Sequence, residues 1–290
     1  RVRVRMRVHD DELDIDEPLV RGLLAEQFPE WARLPLARVE PEGTVNVIYR
    51  LGADKSLRLP RVDWAAEEEH QREHMVLPVL APQLPVRIPT PIAQGRPGRG
   101  YPWSWSVFDW IEGELPTAPI DAAEVAQFIT ALQRVDTRGA PEPSGNRDKP
   151  LAHRDRWVRE ALERVAAPGA VELWERAMAA PEWQLPRVWI HADLDRRNVL
   201  VRDGRLTAVL DWGGAGLGDP AIDVMAAWKL IAGHERDLFR TLLAVDDDTW
   251  LRAQGWVVSQ ALIAIAYYTP ENNPAIHAEA TRWLAQVLPS

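Results

Sequence analysis

Between Arg187 and Gly213 the chain changes character every few residues. "RVWI" at 187–190, "VLV" at 199–201 and "LTAVL" at 206–210 are apolar runs too short for helices. Asp203-Gly204 lies between the last two. An Asp-Gly pair between such runs signals a two-residue hairpin, because both residues tolerate the positive φ of the tight turn. The polar stretch before it, "HADLDRRN", has to be a loop. Any fold for this chain must therefore accommodate a strand, then a loop carrying Asp193, Asp195 and Asn198, then a hairpin ending at Asp211.

Around this segment the spacing of apolar residues is helical. It predicts helices over about 121–137, 153–166, 170–180, 221–232, 235–244, 248–267 and 274–287. "TRGAPEPSGNRDKP" reads as an exposed loop. The first part of the chain differs. After a helix over 17–28, residues 36–61 read as three short strands with "LGAD" as a turn. "VDWAAEEEHQREHMVLPVLAP" is a helix with Asp63 as N-cap, which Pro78 should end or kink. "VRIPTPIA" is an edge strand because its prolines cannot donate to a ladder, and "WSWSVFDWI" is a fifth strand. "EGELPTAP" is a Gly/Pro connector suited to a boundary near residue 112. The expected class is α+β, a five-stranded antiparallel lobe with one helix followed by a mostly helical lobe carrying one polar hairpin.

Composition bounds the function. A net charge of −9 argues against a nucleic-acid partner, which needs a basic face, and suits a cationic small molecule. The longest apolar stretch, "WVVSQALIAIAYY", is too short to span a bilayer, and the start has no apolar leader run. Without cysteine there is no disulfide or thiolate metal site, which fits a reducing cytoplasm.

The polar loop and hairpin hold the parts of a phosphoryl-transfer site. An amide oxygen at Asn198 and a carboxylate at Asp211 are hard ligands suited to Mg²⁺ alongside water and phosphate. Asp193, one loop turn away, is placed to orient a hydroxyl or accept its proton. His191 is expected to shape the loop, and Asp223 to brace it or cap the next helix.

The segment resembles the aminoglycoside phosphotransferase family, a branch of the protein-kinase-like fold. Its signature H-G-D-x-x-x-x-N, followed after about a dozen residues by I-D-[WF]-G and then G-D-P-x-x-D, is a distant relative of the kinase H-R-D and D-F-G motifs. Here it stands as His191-Ala192-Asp193, Asn198 and "LDWGGAGLGDPAID". Ala192 replaces the usual glycine. The resemblance implies a bilobal protein-kinase-like fold, with a nucleotide-binding lobe at 1–112 and an acceptor lobe with the catalytic hairpin at 113–290. It implies ATP, or GTP, with Mg²⁺. Asp193 would be catalytic, and Asn198 and Asp211 the metal ligands. Gly43, Thr44 and Asn46 would cover the phosphates. Arg58 would replace the usual strand-three lysine and pair with Glu73, or failing that Glu69. Main-chain groups near Phe108, Asp109 and Trp110 would meet the purine. Asp195, Trp228 and Glu271 are candidates for the acceptor side. The implied activity is transfer of a γ-phosphate to a small-molecule hydroxyl, with an aminoglycoside-type antibiotic first and a macrolide or a choline- or homoserine-like metabolite second. The intact Asp193/Asn198/Asp211 set speaks against a nucleotide-binding pseudoenzyme.

Overall fold

The computed structural model describes residues 13–40, 45–63, 68–143, 146–147 and 149–288. Gly43 and Thr44 lie outside the described residues, as do the side chain of Glu69 and the first turn after Asp63 that would test its capping role. The chain divides into two compact units. One comprises residues 1–82, 87–112 and 208–213, the other 83–86, 113–207 and 214–290.

In the first unit, α1 (Glu17–Gln27) is followed by β1 (Leu36–Arg38), β2 (Asn46–Leu51), β3 (Lys55–Pro60), α2 (Glu68–Leu80), β4 (Pro91–Gly95) and β5 (Trp105–Asp109). The strands form one antiparallel sheet in the order β1-β2-β3-β5-β4. Proline-broken β4 is at the edge, as its missing donors require. β2 alternates strictly, sending Val47, Tyr49 and Leu51 inward. With Leu57 and Leu59 of β3, and Trp105 and Val107 of β5, they bury Val20, Leu23 and Leu24 of α1. Asp16 caps α1 by accepting from Leu19 N at 2.9 Å. Pro78 does not end α2; the helix runs on to Leu80 before tightening into a 3₁₀ turn at 81–83.

In the second unit, α3 (Ala122–Gln133), α4 (Asp155–Leu162) and α5 (Ala170–Ala179) precede β6 (Val188–Ile190), β7 (Val199–Arg202), β8 (Arg205–Val209) and β9 (Gly216–Gly218). The last two residues of β8 belong to the first unit. The β7–β8 turn has Asp203 at φ 52° and Gly204 at φ 76°, the pair of positive angles that Asp-Gly was expected to supply. The helices α6 (Ala221–Val224), α7 (Ala226–Lys229), α8 (Arg236–Leu242), α9 (Asp247–Tyr267) and α10 (Pro274–Val287) complete the chain. The helix expected over 221–232 is two short pieces. Around Met225 the backbone bonds shorten to the i→i+3 pattern, with Met225 N to Ile222 O at 3.4 Å and Trp228 N to Met225 O at 3.0 Å.

Long α9 is the spine of this unit. Its buried face carries Trp256, Val257, Ala261 and Leu262. Gly255 lets it approach closely, since a Cβ there would sit 2.6 Å from Ala177 Cβ. Asp246 and Asn273 cap α9 and α10. Among the described residues no helix is long and apolar enough to cross a membrane.

Candidate active site

Within the second unit, β6 leads into the loop 191–198. Asp223, wholly buried, accepts from His191 N at 2.8 Å and Ala192 N at 2.9 Å, so it braces the loop rather than capping α6. Burial pushes the Asp223 carboxyl up, against the pull of His191 and these two amides. His191 shapes the loop as expected, its Nδ1 accepting from Asp193 N at 3.2 Å.

Ala192 has φ 75° and is completely buried. That explains why a glycine is at home here: a Cβ in the left-handed region costs about 1 kcal/mol. Ala192→Gly is expected to raise stability by about 1 kcal/mol, read as a higher urea midpoint with unchanged slope.

The Asp193 side chain is about a third exposed, at 32%. Asn198 Nδ2 donates both to Asp193 O at 2.9 Å and to Asp193 Oδ2 at 3.0 Å. With its amide nitrogen so committed, the Asn198 oxygen is turned away from Asp193. Burial pushes the Asp193 carboxyl up, but Lys229, Arg147 and Arg197 outweigh it and bring the pKa to about 2.

None of these three cations was singled out in the sequence. Arg147 Nη2 lies 3.8 Å from Asp193 Oδ1, and its side chain is 21% exposed. The polar, Pro/Gly-rich stretch around it reads as exposed, and the structure corrects that at this residue. Lys229 is fully buried on α7, its Nζ donating to Gln260 Oε1 at 2.6 Å and lying 4.2 Å from the centroid of the Trp283 ring. Burial lowers its pKa, while Asp193 and Asp195 oppose the shift. Its signal in the sequence was a lone lysine inside the apolar run "VMAAWKL".

The acceptor-side candidates fare differently. Asp195 is completely buried, and its carboxylate accepts from Arg197 N at 2.8 Å and Arg197 Nη2 at 2.5 Å. It therefore fixes the loop and does not face an acceptor, because a carboxylate in a tight polar turn is drawn to its own backbone. Trp228 is buried against Trp250, ring centroids 4.6 Å apart, and is core. Glu271 is exposed in the turn between α9 and α10, where the Thr269 hydroxyl holds its pKa down. It makes no hydrogen bond or ion pair to loop 191–198 among the described residues.

The first unit holds Arg58, Glu73 and Asp211 together. Arg58 on β3 donates to Glu73 on α2, and both side chains are largely buried. Glu73 also accepts from Trp212 N at 2.9 Å, and Arg58 lies 3.5 Å from Asp211. Burial pushes the Glu73 carboxyl up; Arg58 opposes this and Asp211 adds to it. Lys55, at the start of the same strand, bonds Asp54 at 3.0 Å. A His–Ser–His set tethers α2 to β5: Ser106 Oγ lies 2.7 Å from His70 Nδ1 and 2.9 Å from His74 Nε2. Asp211 has φ 61° and a side chain 42% exposed.

Asn46 begins β2 opposite Pro60. The strand expected to meet a purine is more heavily committed than its sequence suggests. Phe108 is buried and lies under Arg58, whose guanidinium is 5.7 Å from the ring centroid. Asp109 N donates to Thr90 O at 3.0 Å, and Trp110 N to Asp54 O at 2.8 Å. Asp109 Oδ2 binds Arg87. Beyond them, Ile111 N–H has no partner among the described residues.

Among the described residues no group of three or more His, Cys, Asp or Glu could hold a metal alone. The two candidate ligands nevertheless fit Mg²⁺ in kind. Each offers a hard oxygen, one the amide oxygen of buried Asn198 and the other the half-exposed carboxylate of Asp211, and Mg²⁺ usually draws its remaining ligands from phosphate and water.

The hygromycin-B 4-O-kinase of Escherichia coli is 33% identical over 128 residues, covering 40% of this chain and 38% of that protein. The viomycin phosphotransferase of Streptomyces vinaceus is 29% identical over 215 residues, covering 67% of this chain and 73% of that protein. Among solved structures, the GDP and kanamycin complex of APH(2")-IIia superposes with a TM-score of 0.70 at 18% identity, over 92% of this chain and 97% of that one. The fold is thus the α+β protein-kinase-like fold. With residues 37–288 matching its profile, the chain belongs to the Phosphotransferase enzyme family.

Proposed function

We propose that this protein is a Mg²⁺-dependent O-phosphotransferase that moves the γ-phosphate of ATP, or GTP, to a hydroxyl of a small molecule. The observation that carries the reading is the state of Asp193. Its carboxylate is held ionised, partly open to solvent, on a loop pinned by Asp223. Residues 1–112 form the nucleotide lobe in this reading, and 113–290 the acceptor lobe.

Asp193 accepts a hydrogen bond from the incoming hydroxyl and aligns its oxygen. A carboxylate of pKa about 2 is a weak base, so its main work is orientation and charge, with the proton moving late. That suits a transition state in which bonding to the phosphoryl group is loose. Arg58, kept in place by Glu73, points its guanidinium at the phosphates, where its fork can meet two oxygens. Trp212 N–H, donating to Glu73, fixes the backbone beside Asp211. Mg²⁺, held by Asn198 and Asp211, would neutralise charge on the β- and γ-phosphates. The purine's main-chain donor shifts from Asp109 and Trp110, whose amides are committed, to Ile111.

The sequence places an aminoglycoside-type acceptor first and a macrolide or metabolite second. The names of the relatives, which act on hygromycin B and viomycin, support an antibiotic acceptor in general.

Asp211→Ala is expected to raise the Mg²⁺ concentration needed for half-maximal ADP release by at least about tenfold, as loss of one metal ligand should. Unchanged Mg²⁺ dependence would remove Asp211 from the metal site. No acceptor-dependent ADP release by the unmodified protein, across aminoglycosides, macrolides and choline, would remove the reading itself.

A further inference from the structure

Each carboxylate oxygen of Asp193 has its own neighbour. Oδ2 accepts from Asn198 Nδ2 at 3.0 Å, and Oδ1 lies 3.8 Å from Arg147 Nη2. The last torsion of an aspartate is soft, so one hydrogen bond leaves the carboxylate free to swing. A second contact, on the other oxygen, restrains that swing. Asn198 belongs to the same loop, but Arg147 comes from a distant stretch and has to be brought there.

Strand β9 seats that stretch. Leu217 N donates to Pro141 O at 2.9 Å. A Cβ on Gly216 would stand 2.4 Å from Pro143 N and 2.6 Å from Glu142 C. Contacts that short with another backbone admit glycine alone. Gly218 is two residues on and faces the same side of the strand. A Cβ there would stand 2.4 Å from Ile190 Cδ1 and 3.8 Å from Arg147 O. Asn146, at φ 60°, turns the chain immediately before Arg147. Both glycines of "GLG" therefore bear on where the Arg147 backbone runs.

The Arg147 side chain does not fasten this stretch. Among the described residues it makes no hydrogen bond, and its Nε is buried without a partner. An arginine kept to tie the loop down would bond carbonyls, because a buried donor left unpaired costs free energy. Its one ion pair among the described residues is with Asp193.

Resting on the phosphotransferase reading of Asp193, we infer that Arg147 is a positioning residue for the reaction. It restrains the Asp193 carboxylate from the Oδ1 side, and β9, through Gly216 and Gly218, sets where Arg147 stands. The incoming hydroxyl then meets one orientation of the carboxylate.

The test follows ADP release with Mg–ATP and whichever of hygromycin B, viomycin and kanamycin the unmodified protein turns over fastest. Arg147→Met should lower kcat by at least about tenfold and leave the KM for Mg–ATP within about threefold, since a small misplacement of a reacting group is costly. Arg147→Lys, which keeps the charge without the fork, should fall between. Gly216→Ala should lower kcat with every charge in place, and adding it to Arg147→Met should cost little more. In the Asp193→Asn background, Arg147→Met should leave the residual rate within about threefold. An unchanged kcat in Arg147→Met, a raised KM with kcat intact, or losses that simply multiply in the double variants would overturn the inference. The urea midpoint needs no turnover. Arg147→Met should lower it more when Asp193 is present than in the Asp193→Asn background, and equal lowering would overturn the pairing. If the unmodified protein turns over none of the three compounds, the kinase reading loses its support from them, while the midpoints still judge Arg147.

Discussion

Asp193→Asn is expected to lower kcat by on the order of 10³ while leaving the affinity for Mg–nucleotide within about threefold of normal. The substitution keeps the shape, so Asn198 still has an oxygen to donate to, but it removes the charge that aligns the hydroxyl. The pH dependence sharpens the test. With Asp193 depressed to about 2, its ionised form persists as pH falls through the ordinary carboxylate range. Any acid limb of kcat in that range should therefore belong to another group and survive in the residual activity of Asp193→Asn. A variant that keeps its kcat but loses nucleotide affinity would move Asp193 out of the catalytic role.

Arg58→Ala is expected to destabilise the protein by about 3 kcal/mol or more, because it strands the Glu73 carboxylate in the interior. The Glu73 side chain is 3% exposed and keeps only the Trp212 amide as a named donor once Arg58 is gone. Losing the cation should push its already raised carboxyl further up. The sign then follows. A carboxyl whose folded pKa is raised favours the folded state at low pH and loses that advantage as pH rises through the folded value. The gap in Tm between unmodified and variant protein should widen as pH rises above the ordinary carboxylate range. A gap that narrows would mean that Glu73 is not the group left exposed to the change.

Much of this could be read from the residues alone. The five strands of the sheet and the β7–β8 hairpin were legible because turn signals and alternation coincide, most clearly in β2 and at Asp203-Gly204. The pairing of Arg58 with Glu73 was what the family resemblance implied, and the two side chains meet in the structure. What escaped was long-range. Strand β9, "GLG", has almost no β propensity and exists only because it pairs with β6. Arg147 looked like part of a solvated loop, and its burial depends on what lies against it. Asp195 looked like an acceptor ligand because polar spacing cannot distinguish a carboxylate facing substrate from one folded back on Arg197. The commitments of the Asp109 and Trp110 amides depend on Thr90 and Asp54, partners that no local pattern names.

The membership of residues 208–213 in the first unit bears on how the molecule is made. A ribosome delivers the chain from the N-terminus, yet the amide that completes the Glu73 site belongs to Trp212, of 290 residues. The nascent sheet can assemble early, but the segment 208–213 that completes its unit is translated only after α3, α4 and α5 of the second unit. Splitting the gene at residue 112 would accordingly yield an N-terminal fragment with a buried acid missing one of its two donors, so the halves are bound to mature together.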